Sequence, residues 1–238
     1  STSSTPTNDS RELSTPGTPT ITPIGGFKLY DGKGLDRIGK VIQHYESTFD
    51  HTIFNYTKSG GKIPNKELRK TVSIHNMTVS ELYKYMTKDT HPNLSGRIFA
   101  TGLYQVIPTT LAGNMKAYNL DWNRKYDFNF QTELGHKLIL ARAGNYLKGT
   151  NSGSQADLEK AIQSIGTCWA ALPIIWLKSG EKVGDVTNGG GKRAYYGGVG
   201  PNGATSHFEI GTIALNLIKA RVELSGSKPS FIPSYVKL

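Results

Sequence analysis

Glu46 closes the stretch VIQHYESTFD (residues 41–50), in which apolar residues recur at helical spacing. Leu35, Ile38, Val41, Ile42 and Tyr45 define one side of a predicted helix, and Glu46, four residues after Ile42, projects from nearly the same side. A carboxylate placed there costs stability unless it is neutral, paired or used. Apolar neighbours (Tyr45, Phe49, Phe54), the negative end of the helix dipole and a like-charged Asp50 would each favour the protonated form. An acid that keeps its proton near neutrality can act as a general acid. The same spacing also describes an exposed glutamate at a frayed helix end, paired with a lysine.

A second chemistry-bearing stretch is ATGLYQVIPTTL (residues 100–111). Gly102 permits close backbone approach, Tyr104 offers a flat face to a sugar ring or to a core, and Gln105 offers both a donor and an acceptor. Each of these residues taken alone also suits an ordinary interior. A third stretch is WAALP (residues 169–173).

Taken in order, ESTF, GLYQVIPTT and WAALP resemble the lysozyme-like superfamily that cleaves peptidoglycan. Lytic transglycosylases carry a Glu-Ser pair ending the first core helix, then a Gly-Leu-Met-Gln segment followed by Pro and Thr; Tyr104 stands here for the methionine. Phage lambda-type lysozymes carry a similar Gly-x-Tyr-Gln segment and a later Trp-Ala-x-Leu-Pro. The spacer with NYTKSGGK and MTVSELYKYM is similar to phage endolysins and to the C-terminal muramidase domains of type VI secretion spike proteins. The resemblance spans residues 30–224.

It implies a general acid at Glu46 that protonates the glycosidic oxygen between N-acetylmuramic acid and N-acetylglucosamine, through an oxocarbenium-like transition state. It also implies a glycan groove with Tyr104 and Gln105; Asn55 and Tyr56 join that groove on position alone. A second carboxylate about 5–5.5 Å away suits a retaining nucleophile, and one about 6.5–9.5 Å away suits a base that activates water. Asp50 is the nearest candidate in sequence, Asp121, Asp127 and Glu133 lie farther along, and Thr57 could position water. Without a second carboxylate, the muramic acid's own hydroxyl can attack, as in lytic transglycosylases. The implied partners are glycan strands of the wall, a carrier or spike protein joined at the N-terminus and a cognate immunity protein, with secretion or delivery to a target periplasm. A catalytically inactive wall-binding or spike module is the alternative, and the cleft of a chitinase would read the same way.

The elements that must position these residues read as mostly helical, in an α+β arrangement with a small β-hairpin or irregular loop (residues 55–65) beside the cleft. Residues 1–25, rich in Ser, Thr and Pro, read as a flexible linker; residues 26–226 read as the lysozyme-like domain and residues 227–238 as a tail. Thr78 with Glu81 marks a helix start, Pro108 opens another with Leu111 and Met115 on one side, and Leu134, Leu138 and Ala141 mark a third. Leu158, Ile162, Ile165, Trp169 and Leu172 form one stripe, and Ile210, Ile213, Leu217, Ala220 and Leu224 form the last. Asp157 and Ser206 are expected at or near N-caps. Residues 179–207 are too long for a simple connector.

Composition narrows the function class. The net charge of +10 suits a polyanionic partner such as the wall, but it is scattered rather than gathered into a nucleic-acid arm. The single cysteine, Cys168, excludes an internal disulfide framework and reads as a small core filler; pairing it with His136 or His207 as a nucleophile is the weaker alternative. VTNGGGKR lacks the first glycine and the final hydroxyl residue of a phosphate loop. The six histidines show no metal spacing, so no metal or other cofactor is expected. No apolar run suggests a signal peptide or membrane insertion.

Overall fold

The computed structural model describes residues 19–57, 61, 63–196 and 204–238. Among them are seven α-helices and two antiparallel two-stranded sheets, an α+β composition. The chain divides into two compact units, one holding Ser47–Leu134 and the other Pro19–Glu46 with Gly135–Leu238.

The second unit begins with a hairpin of β1 (Ile21–Ile24) and β2 (Phe27–Tyr30). Gly25 and Gly26 turn it, at φ of 57° and 85°, angles that favour glycine and match the twist of the flanking strands. The expected linker therefore stops short of residue 25: its last residues form a strand, and residues 1–18 lie outside the described set. α1 (Leu35–Glu46) buries Ile38, Val41 and Ile42, while Tyr45 is largely exposed. α7 (Ile210–Ser225) is the central helix of this unit, buried at every position from Ile210 to Ile218. It holds β2 through Asn216, whose Oδ1 accepts from Tyr30 N at 3.0 Å and whose Nδ2 donates to Lys28 O at 2.8 Å. It holds α1 through Glu223, which takes both Nε and Nη2 of Arg37 at 2.8 Å. The chain leaves α7 at Gly226, left-handed at φ 68°, and Leu224 is exposed rather than on the buried side.

α6 (Gln155–Cys168) starts at a reciprocal capping box: Ser154 accepts from Asp157 N, and the Asp157 carboxylate accepts from Ser154 N. Ser154 is thus the cap and Asp157 its partner. Ser206 is not the cap of α7; Glu209 occupies that position without a side-chain bond. α6 ends before Trp169, so Leu172 continues the stripe from outside the helix. The segment expected as a tail is built in: Val236 is buried, the Tyr235 ring lies 4.6 Å from that of Phe27, and Tyr235 Oη donates to Val186 O at 2.7 Å. The described part of residues 179–207 is irregular but tied by isolated bridges, Trp176 to Lys182, Pro173 to Ala194 and Arg193 to Thr205.

In the first unit, β3 (Phe54–Thr57) pairs with β4 (Arg97–Thr101). A hairpin within residues 55–65 is therefore not how β3 is satisfied; its partner lies some forty residues on. Between the strands come α2 (Lys66–Thr71) and α3 (Val79–Thr87), the latter capped by Thr78, which accepts from Glu81 N at 3.0 Å. α4 (Pro108–Ala117) opens on its proline and buries Leu111 and Met115. α5 (Phe128–Leu147) starts in this unit and continues into the other, burying Leu134 and Leu138 but exposing Ala141.

Candidate functional site

Glu46 is the last residue of α1, where its carboxylate meets the WAALP segment: Oε1 accepts from Ala171 N at 3.4 Å. Burial raises its pKa above the usual carboxylate value, and the long bond from Ala171 offsets this only in part. Asp50, expected as a like-charged neighbour, has partners of its own in the first unit. Its Oδ1 accepts from Thr52 N and Oγ1 at 2.9 and 2.6 Å, and its Oδ2 pairs with Arg69 at 3.2 Å. Those bonds give Asp50 a turn-forming role in the first unit, whereas Glu46 belongs to the second.

Sequence reasoning missed the rest of the surroundings of Glu46. Cys168, at the end of α6, is half-buried; burial raises the pKa of its thiol, Arg142 lowers it and Glu46 raises it, so both charged groups lie within electrostatic reach. Trp169, on the apolar stripe with Leu158, Ile162 and Ile165, is buried. Beside Glu46 in sequence, Tyr45 is sandwiched by two imidazoles, with centroids 4.3 Å from His44 and 4.1 Å from His207. Tyr30 Oη lies 2.5 Å from His44 Nδ1, and burial is the main cause of the lowered pKa of His44.

The first unit holds the GLYQ segment as a four-residue loop closed by two backbone bonds between Thr101 and Val106, at 3.1 and 2.9 Å. Gly102 is left-handed at φ 70°, and a Cβ there would stand 2.0 Å from Gln131 Oε1, so close approach is what this glycine provides. Gln131, buried in the core, accepts from Leu103 N at 2.9 Å and donates to His51 O and Tyr126 O at 2.9 and 2.8 Å. The loop is also bonded to the serine of the Glu-Ser pair: Ser47 Oγ donates to Leu103 O at 2.8 Å. Gly102→Ala is expected to cost about 2–4 kcal/mol, since it strains a left-handed backbone and displaces a buried amide. A fall in the urea midpoint checks this, and an unchanged midpoint contradicts it.

Several expected groove residues have other roles. Tyr104 is only 2% exposed, so it offers no face to a sugar; the tight loop turns it inward beside Leu103. Asn55 sits at the bulge in the β3–β4 ladder, where its Oδ1 accepts from Ala100 N at 2.7 Å and replaces a missing backbone acceptor. Tyr56 is half-buried near Phe54, and Thr57 ends the strand opposite Arg97, exposed. Gln105 is the groove candidate whose side chain is only partly engaged. It is half-buried and left-handed at φ 48°; its Nε2 donates to Gly102 O at 2.9 Å, and among the described residues its Oε1 accepts no hydrogen bond. Thr48 and Phe49 are also left-handed, at φ 52° and 61°. Non-glycine residues in this region cost about 1–3 kcal/mol each and cluster at functional sites. Three of the four such residues among those described fall in two of the motif stretches; the fourth, Asn119 at φ 48°, follows α4.

Among the described residues no three His, Cys, Asp or Glu side chains stand close enough to hold a metal ion, and no helix is long and apolar enough to cross a membrane. No protein-family model, curated protein or solved structure matches the chain.

Proposed function

We propose that this protein is a peptidoglycan-degrading glycosidase with a lysozyme-like fold, in which Glu46 protonates the bond between N-acetylmuramic acid and N-acetylglucosamine. The observation that carries the reading is the carboxyl of Glu46: half-buried, raised in pKa and bonded to Ala171 of the WAALP segment. A half-buried carboxyl whose burial favours its protonated form suits the acid that glycosidic cleavage requires. Support also comes from the first unit, where the Ser47 hydroxyl ties the Glu-Ser stretch to the GLYQ loop. The positive charge of the chain suits an anionic wall. Carriage by a phage or a secretion apparatus, delivery to a periplasm and blockade by an immunity protein belong to the same reading.

The engagement of Asp50 by Arg69 and Thr52 favours a second route, in which the muramic acid's own hydroxyl displaces the leaving sugar and no second carboxylate takes part. Mass spectrometry of purified sacculi digested by the protein tests both. New reducing muramic ends mean hydrolysis, anhydro-muramic ends mean transglycosylation, and an undigested sacculus defeats the glycosidase assignment.

A further inference from the structure

The second unit holds a cavity of about 520 Å³ between the latter half of α5 and α6. Its size falls within the range of small-molecule sites, about 300–1,000 Å³. α5 makes room for it by breaking its helical geometry at Ala143, at φ −128° and ψ 17°. Three cations line the cavity, Arg142 and Lys148 from the α5 side and Lys160 from α6, against one carboxylate, Asp157. Among the described residues none of these cations takes part in an ion pair.

The charges are ordered along α6. Asp157, Lys160 and Ser164 face the cavity, and Cys168, one turn beyond Ser164, lies within reach of both Arg142 and Glu46. From Asp157 to Ser164, the stretch of α6 that lines the cavity, the helix rises roughly 10 Å, at about 1.5 Å per residue. An extended peptide covers that length in about three residues, at about 3.3–3.6 Å each. The Asp157 carboxylate is kept ionised by hydrogen bonds from Ser154 and Ser152, giving a fixed negative charge at the far end. A polyphosphate would meet repulsion there, whereas a peptide bearing both carboxylates and an amine would not.

We infer that this groove is a subsite for the stem peptide of the wall: a stretch of about three residues whose carboxylates meet Arg142, Lys148 and Lys160 and whose diamino-acid amine meets Asp157. The inference rests on the glycosidase reading for its ligand, and its binding test does not depend on catalysis.

A synthetic stem tetrapeptide with free carboxylates and a free amine is titrated into the full chain carrying Glu46→Gln, by calorimetry or amide NMR. Binding is expected, and both amidation of the peptide carboxylates and the added double change Arg142→Ala, Lys160→Ala should weaken it at least tenfold. Circular dichroism of the double variant should show the parent melting profile. No binding, or equal binding to the double variant, overturns the subsite; so does inorganic polyphosphate that binds more tightly than the peptide and displaces it. With active chain, the preference for stem-bearing over stem-stripped glycan, read as a ratio of kcat/KM, should fall about tenfold in the double variant, and an unchanged ratio also overturns it. A wild-type chain that binds the peptide and cleaves no glycan would defeat the glycosidase reading alone.

Discussion

A Glu46→Gln chain is expected to release no detectable muropeptide from sacculi while melting at a higher temperature than the wild type in neutral and alkaline buffer. The two results have one physical origin. Burial raises the pKa of Glu46, so the fold favours its protonated form. General acid catalysis contributes about 10²–10⁴-fold, and glutamine, with the same shape and no acidic proton, forfeits it. For the wild type, activity should fall as pH rises through the raised pKa, with its basic limb above the ordinary glutamate value of 4.5.

The stability sign follows from linkage. With the folded pKa above the unfolded one, the folded state binds more protons between the two values, so wild-type stability drops as pH climbs through that window. Glutamine carries no such cost and can still accept the Ala171 N–H. The melting-temperature gap should therefore be near zero below the unfolded carboxylate value, open through the window and stay constant above it. A gap that is absent at every pH would mean that the carboxylate is solvated. Loss of activity without a gap would still leave Glu46 essential, but not through its burial.

What could be read from the sequence was what is local. The 3.6-residue period located α1, α4, α6 and α7, and the Thr78 cap depends on residues three apart. The Glu-Ser, GLYQ and WAALP stretches pointed to residues that the fold joins in two hydrogen bonds, Ala171 to Glu46 and Ser47 to Leu103. What escaped depends on distant partners. β3 finds β4 rather than a local hairpin mate, and β1 draws the end of a low-complexity stretch into a sheet because β2 is fastened to α7. Asp50 lay at the right spacing for a second catalytic group, but Arg69, in a helix no periodicity announced, claims its carboxylate. Tyr104 illustrates the same limit. An aromatic beside a polar amide reads as a platform, and only the closure of the loop by Thr101 and Val106 shows it turned inward.

Arg221 is the costliest of these distant commitments, and Arg221→Met should lower the stability of the protein by about 3–5 kcal/mol. The side chain is 1% exposed on α7 and has no carboxylate partner among the described residues. Its guanidinium instead donates to Tyr146 O at 2.8 Å, Asn151 O at 2.7 Å, Asn151 Oδ1 at 2.9 Å and Ser227 O at 3.3 Å, and it lies 5.0 Å from the centroid of the Tyr146 ring. One planar fork thus joins the end of α5, the turn before α6 and the start of the C-terminal segment, which explains why residues 227–238 are not a loose tail. Replacing a buried ion by an apolar side chain can be neutral when both charged partners leave together. Here the partners are backbone carbonyls and an amide, which stay behind unsatisfied. Arg221→Lys keeps the charge but not the fork, so it should recover less than half of the loss. At about 2–4 °C per kcal/mol for a chain of this size, the methionine variant should melt roughly 10 °C lower by calorimetry. A melting point within a degree or two of the wild type would mean that the C-terminal segment is held by Tyr235 and Val236 and that the guanidinium contributes little.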